Sequence, residues 1–144
     1  MEYPINQLNI ENYDQLIHLW NICGLDHRPI GRDSKQMMEE EFGRAETCIL
    51  GMFDGEKLIG SIIGSSDGRK GWINRLAIDP DYRGQGLAGI LIESCEQFLN
   101  GLGLKVISCL IEDKNTPSMS AFEKAGYSAW PEVVYFSKRS SMDD

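Results

Sequence analysis

The chain has 144 residues, enough for one domain spanning 1–144 with a core that needs no staples. Its formal net charge of −8 is the wrong sign for a broad nucleic-acid footprint; it suits plain solubility or a cationic amine substrate. No apolar run approaches ~18 residues, so no membrane span is expected, and the first residues, Met1 to Ile5, lack the basic and apolar regions of a signal peptide. Cys23, Cys48, Cys95 and Cys109 form no CxxC pair, and only His18 and His27 could join them, so no metal site is expected. The cysteines read as small core residues in a reducing cytoplasm.

A short strand is predicted over 5–9. A helix follows over 12–23, with Leu16, Ile17, Leu19, Trp20 and Cys23 on one stripe and Gly24 as its stop. The loop 25–31 is polar and carries Pro29 and Gly31. Asp33 or Ser34 can cap a second helix that runs to about Arg44. Asp54-Gly55 joins strands 48–53 and 57–65 as a hairpin, and the turn at Asp67-Gly68 leads into a strand over 72–79. A helix over 87–99, a strand over 105–111 and a helix over 116–125 come next. A last strand is predicted over 133–138, with one more short strand as an option at 127–130. Three hairpin-connected strands followed by a βαβ unit imply a mixed sheet with helices on both faces.

The most informative stretch is Arg83-Gly84-Gln85-Gly86-Leu87-Ala88-Gly89, between the strand 72–79 and the helix 87–99. A helix start presents unpartnered N–H groups and partial positive charge, and glycines let a bulky anion approach the backbone. Arg83 adds a cation at the mouth. The letters Gly84-x-Gly86-x-x-Gly89, with Glu112 and Asp113 downstream, also match a dinucleotide fingerprint. That match fails on context. Only 31 residues follow Asp113, too few for the rest of such a sheet, and four residues, Pro80 to Arg83, separate the strand from the glycines.

A second pattern, Arg/Gln-x-x-Gly-x-Gly/Ala, is met by Arg83, Gly86 and Ala88. Together with Asn74 to Ile78 upstream, and with the later segment Asn115-Thr116-Pro117-Ser118-Met119-Ser120-Ala121-Phe122-Glu123-Lys124-Ala125-Gly126-Tyr127, it resembles the acetyl-CoA motifs of the GNAT N-acetyltransferases. The helix–loop composition and the short turn 67–71 look most like a bacterial branch labelled YpeA-like.

The resemblance implies an α/β (α+β) fold with a mixed, mainly antiparallel central sheet, helices on both faces and a splayed parallel strand pair. It implies acetyl-CoA as co-substrate. The pantetheine arm would lie along the backbone of Leu76, Ala77 and Ile78, like an added strand. The pyrophosphate would meet the N–H groups of Gly84, Gln85, Gly86, Leu87, Ala88 and Gly89, with Arg83 nearby. Asn115 would approach the arm, a role compatible with capping the helix it begins. The implied function is acetyl transfer to a primary amine of a small molecule or a protein N-terminus, with no nucleic-acid or membrane partner and with a homodimer left open.

The catalytic residues stay unassigned. One branch of the family uses a glutamate five residues before the motif asparagine and a tyrosine seven after it; here those positions hold Leu110 and Phe122. Glu112, Tyr82, Tyr135 or a water held by Asn74 could substitute. Proximity with a water relay is preferred, because orientation alone supplies several kcal/mol and a thiolate leaves unaided near neutral pH. A catalytically weak acyl-CoA-binding sensor on the same fold is the alternative. Trp20, His27 and Trp130 are candidates for lining the acceptor pocket.

Overall fold

A computed structural model describes residues 2–144. It has strands β1 (Ile5–Gln7), β2 (Thr47–Asp54), β3 (Lys57–Ser66), β4 (Gly71–Ile78) and β5 (Ile107–Cys109), and helices α1 (Tyr13–Ile22), α2 (Lys35–Phe42), α3 (Leu87–Gly101) and α4 (Thr116–Lys124). The strands lie side by side in chain order. The first three pairings are antiparallel, and β4–β5 is parallel. This is the mixed sheet expected from the hairpin signals and the βαβ unit.

Both faces of the sheet are buried, so neighbouring apolar residues on one strand feed different cores. Cys48, Ile59, Ile62 and Ile78 pack with Leu91, Ile92, Cys95 and Leu99 of α3 and Phe122 of α4. Ile49, Leu58, Ile63 and Ala77 pack with Leu16, Leu19 and Trp20 of α1 and Met38 of α2. The runs Leu58-Ile59 and Ile62-Ile63 are therefore continuous rather than alternating. The Trp20 indole is fully buried, and its N–H donates to Ser61 Oγ at 3.3 Å. Ser34 caps α2 by accepting from the Met37 amide, which frees Asp33 for another partner.

β4 is bulged. Ser61 pairs with Ala77 and Ile63 with Asn74, so Arg75 and Leu76 together oppose Ile62. Arg75 takes the left-handed conformation, with φ +57°, the one non-glycine residue among those described to do so. The extra residue resets the alternation, which is why Ile73 and Ile78 share one core although they are five apart.

The predicted strand over 105–111 is shorter than expected. It pairs only through Ile107–Cys109, opposite Gly71 to Ile73, and the pairing stops where β4 bulges. The predicted strand over 133–138 is corrected: no residue after Lys124 joins the sheet, and neither does the optional one at 127–130. Val133, Val134, Tyr135 and Phe136 are 63–88% exposed. Their β propensity finds no ladder, because a partner edge of three residues offers few bonds to set against the entropy of fixing a strand.

Gly64 of β3 makes room for two thiols. A Cβ built there would lie 2.4 Å from Cys95 Sγ and 3.0 Å from Cys48 Sγ, themselves 3.8 Å apart in the core. Gly64→Ala should lower the unfolding free energy by about 1–3 kcal/mol, and adding Cys95→Ala should restore most of it. Urea titration of the two variants checks this, and equal losses would show that the strain is not against Cys95.

Candidate functional site

The divergence of β5 from β4 opens the site. The Asp79 amide donates to Ile59 O at 2.8 Å, so alternation turns the backbone of Ala77 toward β3 and that of Ile78 toward the open side. On that side the Ile78 carbonyl accepts from Arg83 Nε at 3.0 Å and from Cys23 Sγ at 3.3 Å. Burial raises the Cys23 thiol pKa, against the opposing effect of its hydrogen bond with Arg83.

Asp79 and Pro80 fold the chain into a short turn through Tyr82, with the Asp79 carboxylate accepting from the Asp81 amide at 2.9 Å. Gly84 and Gly86 follow with φ of +83° and +76°, which glycine adopts without strain. Gly86 is the N-cap of α3 and offers no side-chain acceptor, so the first N–H groups of the helix stay unpartnered. A Cβ at Gly84, Gly86 or Gly89 would meet no protein atom within 4 Å. The bare backbone there faces open space.

That space is a cavity of about 720 Å³ lined by Leu76, Ala77, Ile78, Arg83, Gly84, Gly86, Leu87, Ala88, Gly89 and Asn115. Ten of the sequence-predicted site residues are thus brought together. The remaining one, Gln85, turns its amide back onto the Tyr82 carbonyl at 3.1 Å. Asn115 caps α4 by accepting from the Ser118 amide at 3.2 Å. It also borders a smaller cavity of about 60 Å³ between Ile73–Leu76 of the bulged strand and residues 109–112 at and after the end of β5.

The small cavity holds Leu110, Glu112, Asn74 and the ring of Phe122. Phe122 is buried edge-on against Tyr127 at 5.0 Å, so no side-chain proton donor occupies its position. The Tyr127 hydroxyl donates to Glu96 at 2.8 Å, and burial followed by that carboxylate holds its pKa well above the usual phenol range. Tyr82 borders the large cavity, but its hydroxyl donates to Asp54 at 2.6 Å, which pushes its pKa up to about 12. Tyr135 is 63% exposed on the unpaired C-terminal segment and lines neither cavity. Trp130 is likewise exposed, and Trp20 is core. His27 packs near Trp20, with ring centroids 5.9 Å apart.

The profile of the Acetyltransferase (GNAT) family matches residues 13–127. The chain belongs to the GNAT acetyltransferase family. An acetyltransferase of Sodalis glossinidius (strain morsitans) is 30% identical over 133 residues, covering 92% of each chain. The fold of this acetyltransferase is shared with a PaiA N-acetyltransferase from Thermoplasma acidophilum in complex with coenzyme A, with a TM-score of 0.74, 22% identity, and coverage of 86% of this chain and 88% of that one. It is also shared with AAC(6')-Iy in complex with a bisubstrate analog, with a TM-score of 0.80, 17% identity, and coverage of 96% and 99%. GNAT acetyltransferases use acetyl-CoA, and the pattern first weighed as a dinucleotide fingerprint is part of a GNAT domain.

Several lining residues were not singled out from sequence: Glu93 and Glu96 on α3, and Ser118, Ser120, Ala121 and Lys124 on α4. A helical stripe through positions 117, 121 and 124 carried the signal, but nothing local said which face of α4 would be wet.

A second feature missed by sequence reasoning ties the bulge to the α1–α2 loop. Arg75 Nη2 lies 2.7 Å from Asp33 Oδ2 with both side chains largely buried, and its guanidinium sits 5.0 Å over the Trp20 ring. Arg75 also donates to the Asp26 carbonyl, and Asp33 accepts from the Arg28 amide at 2.7 Å. Arg75→Met leaves the Asp33 carboxylate buried without its cation and should cost about 3 kcal/mol of stability. Arg75→Met combined with Asp33→Asn should cost clearly less. Chemical denaturation decides it: a double variant no more stable than the single one would mean that the pair is not what holds the loop.

Proposed function

We propose that this acetyltransferase moves the acetyl group of acetyl-CoA onto a primary amine of a small molecule or a protein N-terminus. One observation carries the assignment of the donor site: a single cavity joins the open edge of β4, the uncapped start of α3 and the N-cap of α4. Each part suits one part of the donor. Backbone groups on the open edge suit an amide-bearing arm, and bare N–H groups at a helix start suit a pyrophosphate. Asn115 keeps its amide N–H₂ free while its oxygen caps α4, so it can donate to the arm.

In the transfer, the amine nitrogen bonds to the acetyl carbon, the carbon–sulfur bond breaks, and the sulfur leaves as thiolate. The ammonium proton passes to solvent water before attack, and a second proton leaves the nitrogen for water as the carbon–sulfur bond breaks. The chain's part is to hold the two reactants in line at the mouth of the β4–β5 gap, where effective molarity supplies the rate. The apolar Phe122 and Leu110 support this over acid–base catalysis by those positions. The same two residues also favour the second reading, a weakly catalytic acyl-CoA-binding module. The thiols of Cys23, Cys48, Cys95 and Cys109, all free, suit a reducing cytoplasm.

Turnover of acetyl-CoA against a panel of amines and peptides, followed by free-thiol release, separates the two. Stimulated release with at least one amine supports the enzyme; tight binding with no stimulated release supports the module. Gly89 offers the cleaner test of the cavity, because its backbone is helical and its Cβ direction is open. Gly89→Leu should leave the melting temperature unchanged or raise it, since glycine costs ~1 kcal/mol inside a helix. It should weaken CoA by about 100-fold, ~2.7 kcal/mol. Calorimetry showing unchanged affinity would remove the glycine loop from the donor site.

A further inference from the structure

We propose that Lys124 binds the 3′-phosphate of CoA and makes the protein discriminate CoA from its 3′-dephospho form. The proposal rests on the assignment of the large cavity to CoA. The charged side chains lining that cavity are Arg83, Lys124, Glu93 and Glu96, which sum to zero in a chain of net charge −8. The donor carries two kinds of phosphate. The pyrophosphate is diffuse and suits the neutral N–H groups at the start of α3. The 3′-phosphate is a compact monoester dianion and needs a cation.

Arg83 is committed near the open edge, because its Nε is held by the Ile78 carbonyl at 3.0 Å. Lys124 is free. Among the described residues it takes part in none of the ion pairs and in no side-chain hydrogen bond, and it still borders the cavity. Glu96 accepts from the Tyr127 hydroxyl at 2.8 Å, and no carboxylate among the described residues lies within ion-pair distance of Lys124.

Position along α4 agrees. The helix begins at Thr116, next to its cap Asn115, which borders the small cavity as well as the large one and so marks the thioester end. Lys124 is in the last turn, ~12 Å further along the axis. In CoA the 3′-phosphate lies on the ribose beyond the pyrophosphate, at the far end from the sulfur. The thioester end and the 3′-phosphate end therefore map onto the two ends of one helix.

The test is calorimetric binding of CoA and of 3′-dephospho-CoA to the wild-type protein, to Lys124→Met and to Lys124→Glu. The wild type should prefer CoA by about tenfold. Lys124→Met should bring the two affinities within about twofold by weakening CoA alone, and Lys124→Glu should reverse the order. The exposed position predicts unchanged melting temperatures for both variants. Raising the salt concentration should narrow the wild-type preference. A wild type without preference, a preference that survives in Lys124→Met, or equal weakening of both ligands would each overturn the role of Lys124 while leaving the cavity assignment standing. Failure of the wild type to bind either ligand would overturn the cavity assignment and this proposal with it.

Discussion

Parallel pairing between β4 and β5 lasts for three residue pairs and then stops, and the rest of the site follows from that stop. Backbone N–H and C=O groups cannot be left buried and unpaired. A β4 edge that loses its neighbour must therefore face solvent, turn to side chains, or accept a ligand. In this chain the Ile78 carbonyl turns to Arg83 and Cys23, while the amide of the same residue faces the cavity. The bulge at Arg75 and Leu76 is what separates the strands, and its left-handed residue stays in place through a buried ion pair and a tryptophan face. Strain in the backbone is thus held by contacts from the opposite side of the sheet.

The same contacts tie the loop between α1 and α2 to the strand that borders the large cavity: Arg75 is part of β4, while Asp33 and Asp26 belong to that loop. On the proposed assignment, the donor side solves its charge problem locally. The chain as a whole carries a formal net charge of −8, which does not favour a polyanion at long range. Helix N–H groups, a fixed Arg83 and an unpaired Lys124 act only at short range.

Much of this was legible in the sequence because it depends on local rules. Glycines before an amphipathic run, asparagine before Thr116-Pro117 and Asp-Gly turns each have a short-range cause, and the glycine loop, α4 and the hairpins appeared where those causes placed them. The failures are non-local. The segment 133–138 has the composition of a strand, but a strand needs an edge, and β5 ends too soon to supply one. Asp33 and Ser34 are both candidates for the cap of α2; Ser34 takes that role, and what stayed illegible is that Asp33 finds a cation 42 positions away. No local signal placed Lys124 at the cavity, since the wet face of α4 is fixed only when α3 packs beside it.

Hydrogen exchange at two neighbouring amides of β4 reports whether the arm of CoA pairs with the open edge. The alternation of β4 sends the Ala77 amide to β3 and the Ile78 amide to the open edge. If that edge receives the arm of CoA, saturating CoA should slow exchange at Ile78 by at least about tenfold, ~1.4 kcal/mol of added protection. The Ala77 amide, already bonded, should change little. Unaltered exchange at Ile78 in the presence of bound CoA would contradict the account, because the donor would then lie somewhere other than the gap between β4 and β5.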